Sequence, residues 1–220
     1  MRYSSKDRCE AVIKVLSEIY ANRGCDLHFS TSYQLFVALV LAARCTDDLV
    51  NQATQILCGK YPSTKELAQA SLLELEDIIS DITYADAKAK NLIDSAHILT
   101  ERYRGEIPHE ESVLLSLPGV GRKSANTLLS ECFNKPAIAV DTHVQCVAFR
   151  IGLSHSNAPL KTEKSLCSLI KSSQWRDATH WLTALGKDFC HAVTPDCSIC
   201  PVQQYCQYNQ PEEGKQLTLF

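Results

Sequence analysis

Apolar side chains recur along this chain with the spacing of helices rather than of strands. From Ser5 to Tyr20, Val12, Ile13, Leu16, Ile19 and Tyr20 fall on one helical stripe. Ser32 to Ala43 is almost wholly apolar, with Phe36, Val37, Leu39, Val40 and Leu41. That run is too long for an ordinary strand and predicts a buried central helix. Asp47 or Asp48 is placed to cap a further helix reaching about Cys58, and Ser63 or Thr64 opens a short one. Ser71-Leu72-Leu73-Glu74 has the spacing of a capping box and predicts a helix to about Ser80. Asp86 to Tyr103 is long and amphipathic, with Leu92, Ile93, Ala96 and Leu99 on one side and a stop at Gly105 and Pro108. Ala137-Ile138-Ala139-Val140 is the one strand-like piece. The pattern predicts an all-α fold, with a polar tail from Gln207 to Phe220 expected to be disordered until its last few residues.

Composition narrows the class. Hydrophobic residues make up 45% and charged residues 21%, as in an ordinary globular protein. No apolar run approaches the roughly 20 residues of a membrane helix, and no apolar stretch follows Met1-Arg2-Tyr3 to make a secretory signal. The expectation is a protein that stays in the compartment where it is made. The formal net charge of −3 tells against an evenly basic nucleic-acid binder but leaves room for a local basic face. Of eleven cysteines, seven (Cys9, Cys25, Cys45, Cys58, Cys132, Cys146 and Cys167) are scattered and read as small buried hydrophobes.

The remaining four, Cys190, Cys197, Cys200 and Cys206, form C-x6-C-x2-C-x5-C. Thiolates so crowded in a reducing compartment indicate a metal centre. Zinc sites more often pair two short C-x2-4-C units, and only one such pair exists here, so structural zinc stays open but is the less natural occupant.

Leu114 to Asn126 is the most informative stretch. An apolar helix end meets Pro118-Gly119-Val120-Gly121, and a second helix begins at Arg122-Lys123. Two glycines two apart let the backbone turn sharply and approach something bulky, and amides at a helix start can hold a phosphate. A plain helix–helix turn would need no such chemistry. Lys123 lies in the first turn, where the helix dipole disfavours an ammonium ion, and partial burial would free the amine further to act as a nucleophile. A solvated surface lysine is the plainer alternative. Asp141, before Thr142-His143, is an expected helix N-cap. A carboxylate there could also stabilise positive charge on a sugar or take a proton from the lysine.

Leu117-Pro118-Gly119-Val120-Gly121-Arg122-Lys123, with Val140-Asp141-Thr142-His143 beyond it, resembles the helix–hairpin–helix DNA glycosylases of the endonuclease III branch. The resemblance runs from about Ser30 to Cys206 and implies a fold of two helical lobes with a DNA cleft between them. Residues 25–135 would form a six-helix barrel lobe with the helix–hairpin–helix at about 114–127. Residues 1–24 and 136–207 would form a lobe of the N-terminal helix, C-terminal helices and a 4Fe-4S loop, and 208–220 a flexible tail. It implies a bifunctional enzyme of bacterial base excision repair, cytoplasmic and nucleoid-associated, acting as a monomer on double-stranded DNA with a damaged base or abasic site. Lys123 would attack the sugar carbon and Asp141 assist; a Schiff base forms and β-elimination cuts the strand. The same resemblance implies a 4Fe-4S cluster on Cys190, Cys197, Cys200 and Cys206, and DNA contacts from Arg44, Tyr84, Lys88, Gly119, Gly121, Arg122 and His143.

The chain departs from the family pattern in places that bear on substrate. Arg44 stands where the family usually has the Gln that fills the gap left by a flipped base, and Tyr84 where a wedge Leu is usual. Cys146 replaces the family's Arg after Val-Asp-Thr-His, and residues 191–196 lack the usual Lys and Arg. These changes keep two other readings in play: a non-excising damage-binding protein, or an abasic-site lyase with altered lesion specificity. An iron–sulfur redox sensor on the same scaffold is a third. Finally, Gln216-Leu217-Thr218-Leu219-Phe220 resembles the pentapeptide by which bacterial replication proteins dock on the sliding clamp, with Gln216, Leu217, Leu219 and Phe220 as contacts. A tail packed on its own core is the alternative.

Overall fold

A computed structural model of the chain describes residues 3–209. The clamp-like residues Gln216, Leu217, Leu219 and Phe220, and most of the tail expected to be disordered, lie outside them. Among the described residues there are eleven α-helices and no strand. The chain divides into two compact units, one of residues 25–135 and one of the residues before and after that stretch.

The contiguous unit holds α2 (Ser32–Leu41), α3 (Asp47–Lys60), α4 (Thr64–Ala68), α5 (Leu72–Ile78), α6 (Ala85–Tyr103), α7 (Glu111–Leu114) and α8 (Arg122–Cys132). Every residue of α2 from Leu35 to Leu41 is buried, and the helix packs against α3, α6 and α8. A helix that is apolar all round can only be central. Hydroxyl caps fix where the helices begin: Thr31 accepts from the Gln34 amide and Thr46 from the Leu49 amide. The cap of α3 is therefore Thr46. Asp47 and Asp48, expected to do that work, sit in the first turn instead, where their charge still favours the helix dipole. The capping box expected at Ser71 does not form, since its side chain makes no cap hydrogen bond.

The other unit holds α1 (Ser5–Ile19), α9 (Thr142–Ile151), α10 (Pro159–Leu169) and α11 (Trp175–Asp188). Its core joins Val12 and Leu16 of α1, Val144, Val147 and Ala148 of α9, Leu166 of α10, and Ala178, Leu182 and Leu185 of α11. The strand-like residues 137–140 form neither helix nor strand. They add Ile138 and Val140 to this core, so their apolar character answers to burial, not to sheet pairing. α9 and α11 approach so closely that a Cβ on Gly186 would lie 2.7 Å from that of His143.

Candidate active site and iron–sulfur loop

The hairpin is short on its first side. α7 gives way to turns, Val120 N–H donates to the Leu117 carbonyl at 3.1 Å, and Gly121 is the N-cap of α8. Gly119 has φ +79°, and a Cβ there would sit 3.1 Å from Val40 and 3.2 Å from Asn91. Backbone conformation and space both demand glycine. Gly121, at φ −91° with open space around it, is not required by the fold. Ser95 Oγ donates to the Pro118 carbonyl at 3.0 Å and ties the turn to α6.

Lys123 lies in the first turn of α8 and is exposed. The partial burial expected of it is absent: α8 turns Ala125 to Ser130 inward and leaves its first turn in solvent. Its charge reaches the Cys25 thiol, which burial, the largest effect, pushes up. Arg122, beside it, pairs with Glu111 of α7 at 2.8 Å.

Asp141 is the N-cap of α9. Its Oδ1 accepts from the Val144 amide at 2.7 Å and its Oδ2 from the Thr183 hydroxyl of α11 at 3.4 Å. Both oxygens are thus held, and the carboxylate is half-buried. His143, on the same helix turn, is half-buried against Gly186. Thr183 carries no sequence signal beyond its place on α11.

Lys88, expected on the DNA face, is only 5% exposed. Its Nζ donates to the carbonyls of Leu41 and Ala43, both at 2.7 Å, at the end of α2. A helix end leaves carbonyls without partners, and this buried cation supplies them. Lys88 thereby fixes the turn that carries Arg44. Arg44 and Tyr84 have φ +57° and +60°, and the Arg44 Nη1 donates to the Tyr84 hydroxyl at 3.4 Å. A left-handed residue with a side chain costs about 1 kcal/mol or more, so two such residues set side by side are held there by their surroundings.

The cysteine loop is gripped by a residue that the motif does not contain. Arg150 of α9 is 2% exposed; it donates to the carbonyls of His191 and Ala192, each at 2.7 Å, and to Cys190 Sγ at 3.4 Å. It also stacks over the Tyr208 ring at 5.0 Å. Arg150 falls on one helical stripe with His143 and Cys146, and an arginine in an otherwise apolar stretch was the signal for it. Cys146, expected to be an inert buried hydrophobe, is buried but hydrogen-bonds Cys190. That bond, with Arg150 beside it, draws the Cys190 thiol below its usual range against the opposing effect of burial.

The four cysteines lie within electrostatic reach of one another: Cys200, as a free thiol, is raised to about 11, chiefly by burial and then by Cys206, Cys190 and Cys197. Cys190, Cys200 and Cys206 pack against the core of the unit. Among the described residues Arg150 Nε is a buried donor with no partner, the kind of group that an anionic sulfur cluster satisfies. The donor set and its surroundings fit an iron–sulfur group.

A family model described as HhH-GPD superfamily base excision DNA repair protein matches residues 37–172. A second, the iron–sulfur binding domain of endonuclease III, matches residues 190–206, and the chain carries a 4Fe-4S cluster. Endonuclease III of Rickettsia felis is 38% identical over 91% of this chain and 94% of its own. That of Bacillus subtilis is 36% identical over 94% and 95%. Among solved structures, a trapped covalent intermediate of endonuclease III with DNA, an estranged-adenine complex, matches with a TM-score of 0.90 at 34% identity, over 94% of this chain and 98% of that one. The chain belongs to the endonuclease III family of HhH-GPD base excision repair proteins and is a DNA glycosylase and abasic-site lyase.

Proposed function

We propose that Lys123 is the nucleophile and Asp141 the assisting carboxylate of a bifunctional reaction. The Lys123 amine attacks C1′ of the damaged nucleotide and the glycosidic bond breaks, its electron pair leaving with the base. The amine and C1′ then form a Schiff base. Loss of a C2′ proton and breakage of the C3′–O bond nick the strand on the 3′ side of the lesion. Asp141 accepts the proton that the amine sheds, or stabilises the positive charge developing on the sugar. Amides around Gly119 and Gly121, at the start of α8, hold a backbone phosphate, with Arg122 and His143 as further DNA contacts. Arg44 and Tyr84 fill the gap left by the flipped nucleotide, while Lys88 acts through the turn it braces.

Cys190, Cys197, Cys200 and Cys206 would hold the cluster, which organises the loop rather than taking part in bond cleavage. The protein acts as a monomer in the bacterial nucleoid. Its terminal Gln216, Leu217, Leu219 and Phe220 dock on the sliding clamp. Deleting the last five residues is expected to abolish clamp binding with base excision on short duplexes intact.

One observation carries the catalytic reading: Lys123 occupies the first turn behind the Pro-Gly-Val-Gly hairpin in a chain that resembles an endonuclease III trapped covalently on DNA. Borohydride trapping on a duplex with an abasic site tests it. The holoenzyme is expected to give a covalent product and Lys123→Gln none. Absence of product from the holoenzyme would favour a damage-binding protein that does not excise.

A further inference from the structure

Arg44 and Tyr84 form one unit rather than two independent wedges. Each is at positive φ, in a described chain where two other non-glycine residues are so placed, Arg104 and Asn134. The turn of Arg44 is held on both sides: Lys88 takes the carbonyls of Leu41 and Ala43, and Thr83 Oγ1 donates to the Arg44 carbonyl at 3.3 Å. The Tyr84 hydroxyl then accepts from Arg44 Nη1 at 3.4 Å, which ties one arm of the guanidinium to the ring. Tyr84 is 57% exposed and Arg44 is exposed. The guanidinium's other N–H groups have no protein partner among the described residues. A charged fork has been oriented and left open.

We propose that Arg44, braced on Tyr84, reads the base left opposite the lesion and selects cytosine. The inference rests on the reading of these two residues as the gap-fillers of opened DNA. A side chain that enters the space of a flipped nucleotide meets the Watson–Crick edge of the orphaned partner. A guanidinium offers donors alone, in a planar pair. Cytosine presents two adjacent acceptors on that edge, N3 and O2, with its one donor, the N4 amino group, to the far side of N3. Adenine presents one acceptor beside a donor, guanine one acceptor beside two donors, and thymine a donor between two acceptors. Only cytosine matches the fork without a donor facing a donor. The glutamine usual at this place in the family carries one donor and one acceptor group, which suits the mixed edges instead. Because an undamaged cytosine pairs with guanine, selection for it directs the enzyme to what remains of a guanine.

The test measures binding of the full-length holoenzyme to four duplexes that carry a tetrahydrofuran abasic analogue opposite A, C, G or T. A good bidentate contact discriminates by about tenfold or more, so the C duplex is expected to bind at least that much more tightly than the others. Arg44→Lys keeps the charge but loses the fork, and is expected to bring the four affinities within about threefold of one another. Tyr84→Phe keeps the ring and loses the brace, and is expected to narrow the preference. Equal affinities in the unaltered protein, or a cytosine preference that survives in Arg44→Lys, overturn the inference. Borohydride trapping on the same preparation keeps the two readings apart. Trapping without base preference removes the inference and spares the lyase, whereas cytosine preference without trapping supports the inference and removes Lys123 as nucleophile.

Discussion

Thr183 and the Val144 amide hold the two oxygens of Asp141 from two helices, at 3.4 Å and 2.7 Å. One carboxylate therefore does structural work through Oδ1 while Oδ2 is shared with a hydroxyl that an incoming sugar could displace.

The two roles separate by substitution. Asn is as good an N-cap as Asp, so Asp141→Asn is expected to leave the melting temperature nearly unchanged while base release falls about 100-fold or more. Asp141→Ala should lose the activity and also about 1 kcal/mol of stability. Thermal unfolding alongside single-turnover excision measures both. An Asn variant with full activity would confine Asp141 to capping.

Lys88→Met removes a buried ammonium from two carbonyls at 2.7 Å. Carbonyls left unsatisfied cost about 2–3 kcal/mol in total, which for a chain of this size lowers the melting temperature by about 6–10 °C. Calorimetry on the holoprotein checks the size. A shift within a degree would mean that solvent reaches the end of α2.

The hairpin glycines divide in the same manner. Gly119→Ala meets positive φ, Val40 and Asn91 together, and is expected to cost about 2 kcal/mol or more. Gly121→Ala meets nothing and should cost only about 0.5–1 kcal/mol, for a poorer N-cap. If phosphate approaches its backbone, DNA affinity should nonetheless fall severalfold. Unfolding curves and filter binding on the two variants read the contrast directly.

Much of this was legible in the sequence, for a physical reason. Helices are written in local periodicity, so the stripes in α1 and α6 and the apolar run of α2 announce themselves. Chemistry written as short spacing, Gly119 to Lys123 and the four cysteines, is legible too. What escapes is whatever a distant carbonyl decides. Lys88 looks like a surface lysine until α2 ends beside it, and Cys146 looks inert until Cys190 comes within reach. Thr46 outcompetes Asp47 as a cap by one residue of register, which local preference alone cannot resolve.

Arg150→Met offers a fourth expectation. Losing its bonds to His191 and Ala192 should loosen the cysteine loop, so iron and acid-labile sulfide per chain fall and protease cleavage between 191 and 206 speeds up. Cys200→Ser should lose the cluster outright. Zinc in place of iron in the parent protein would contradict both.

Arg8 gives its Nε hydrogen to the carbonyl of Tyr205, 197 residues further on. α1 is thus tied to a segment far along the sequence, and its core companions on α9 and α11 also lie beyond residue 140, whereas the core of residues 25–135 is drawn from within that stretch. At the usual pace of synthesis the stripe of Val12 and Leu16 waits about 6–35 s for α9 and α11. Synthesis order and packing order therefore differ: residues 25–135 hold their own contacts before α9 and α11 have been made, and α1 gains its core only once they follow.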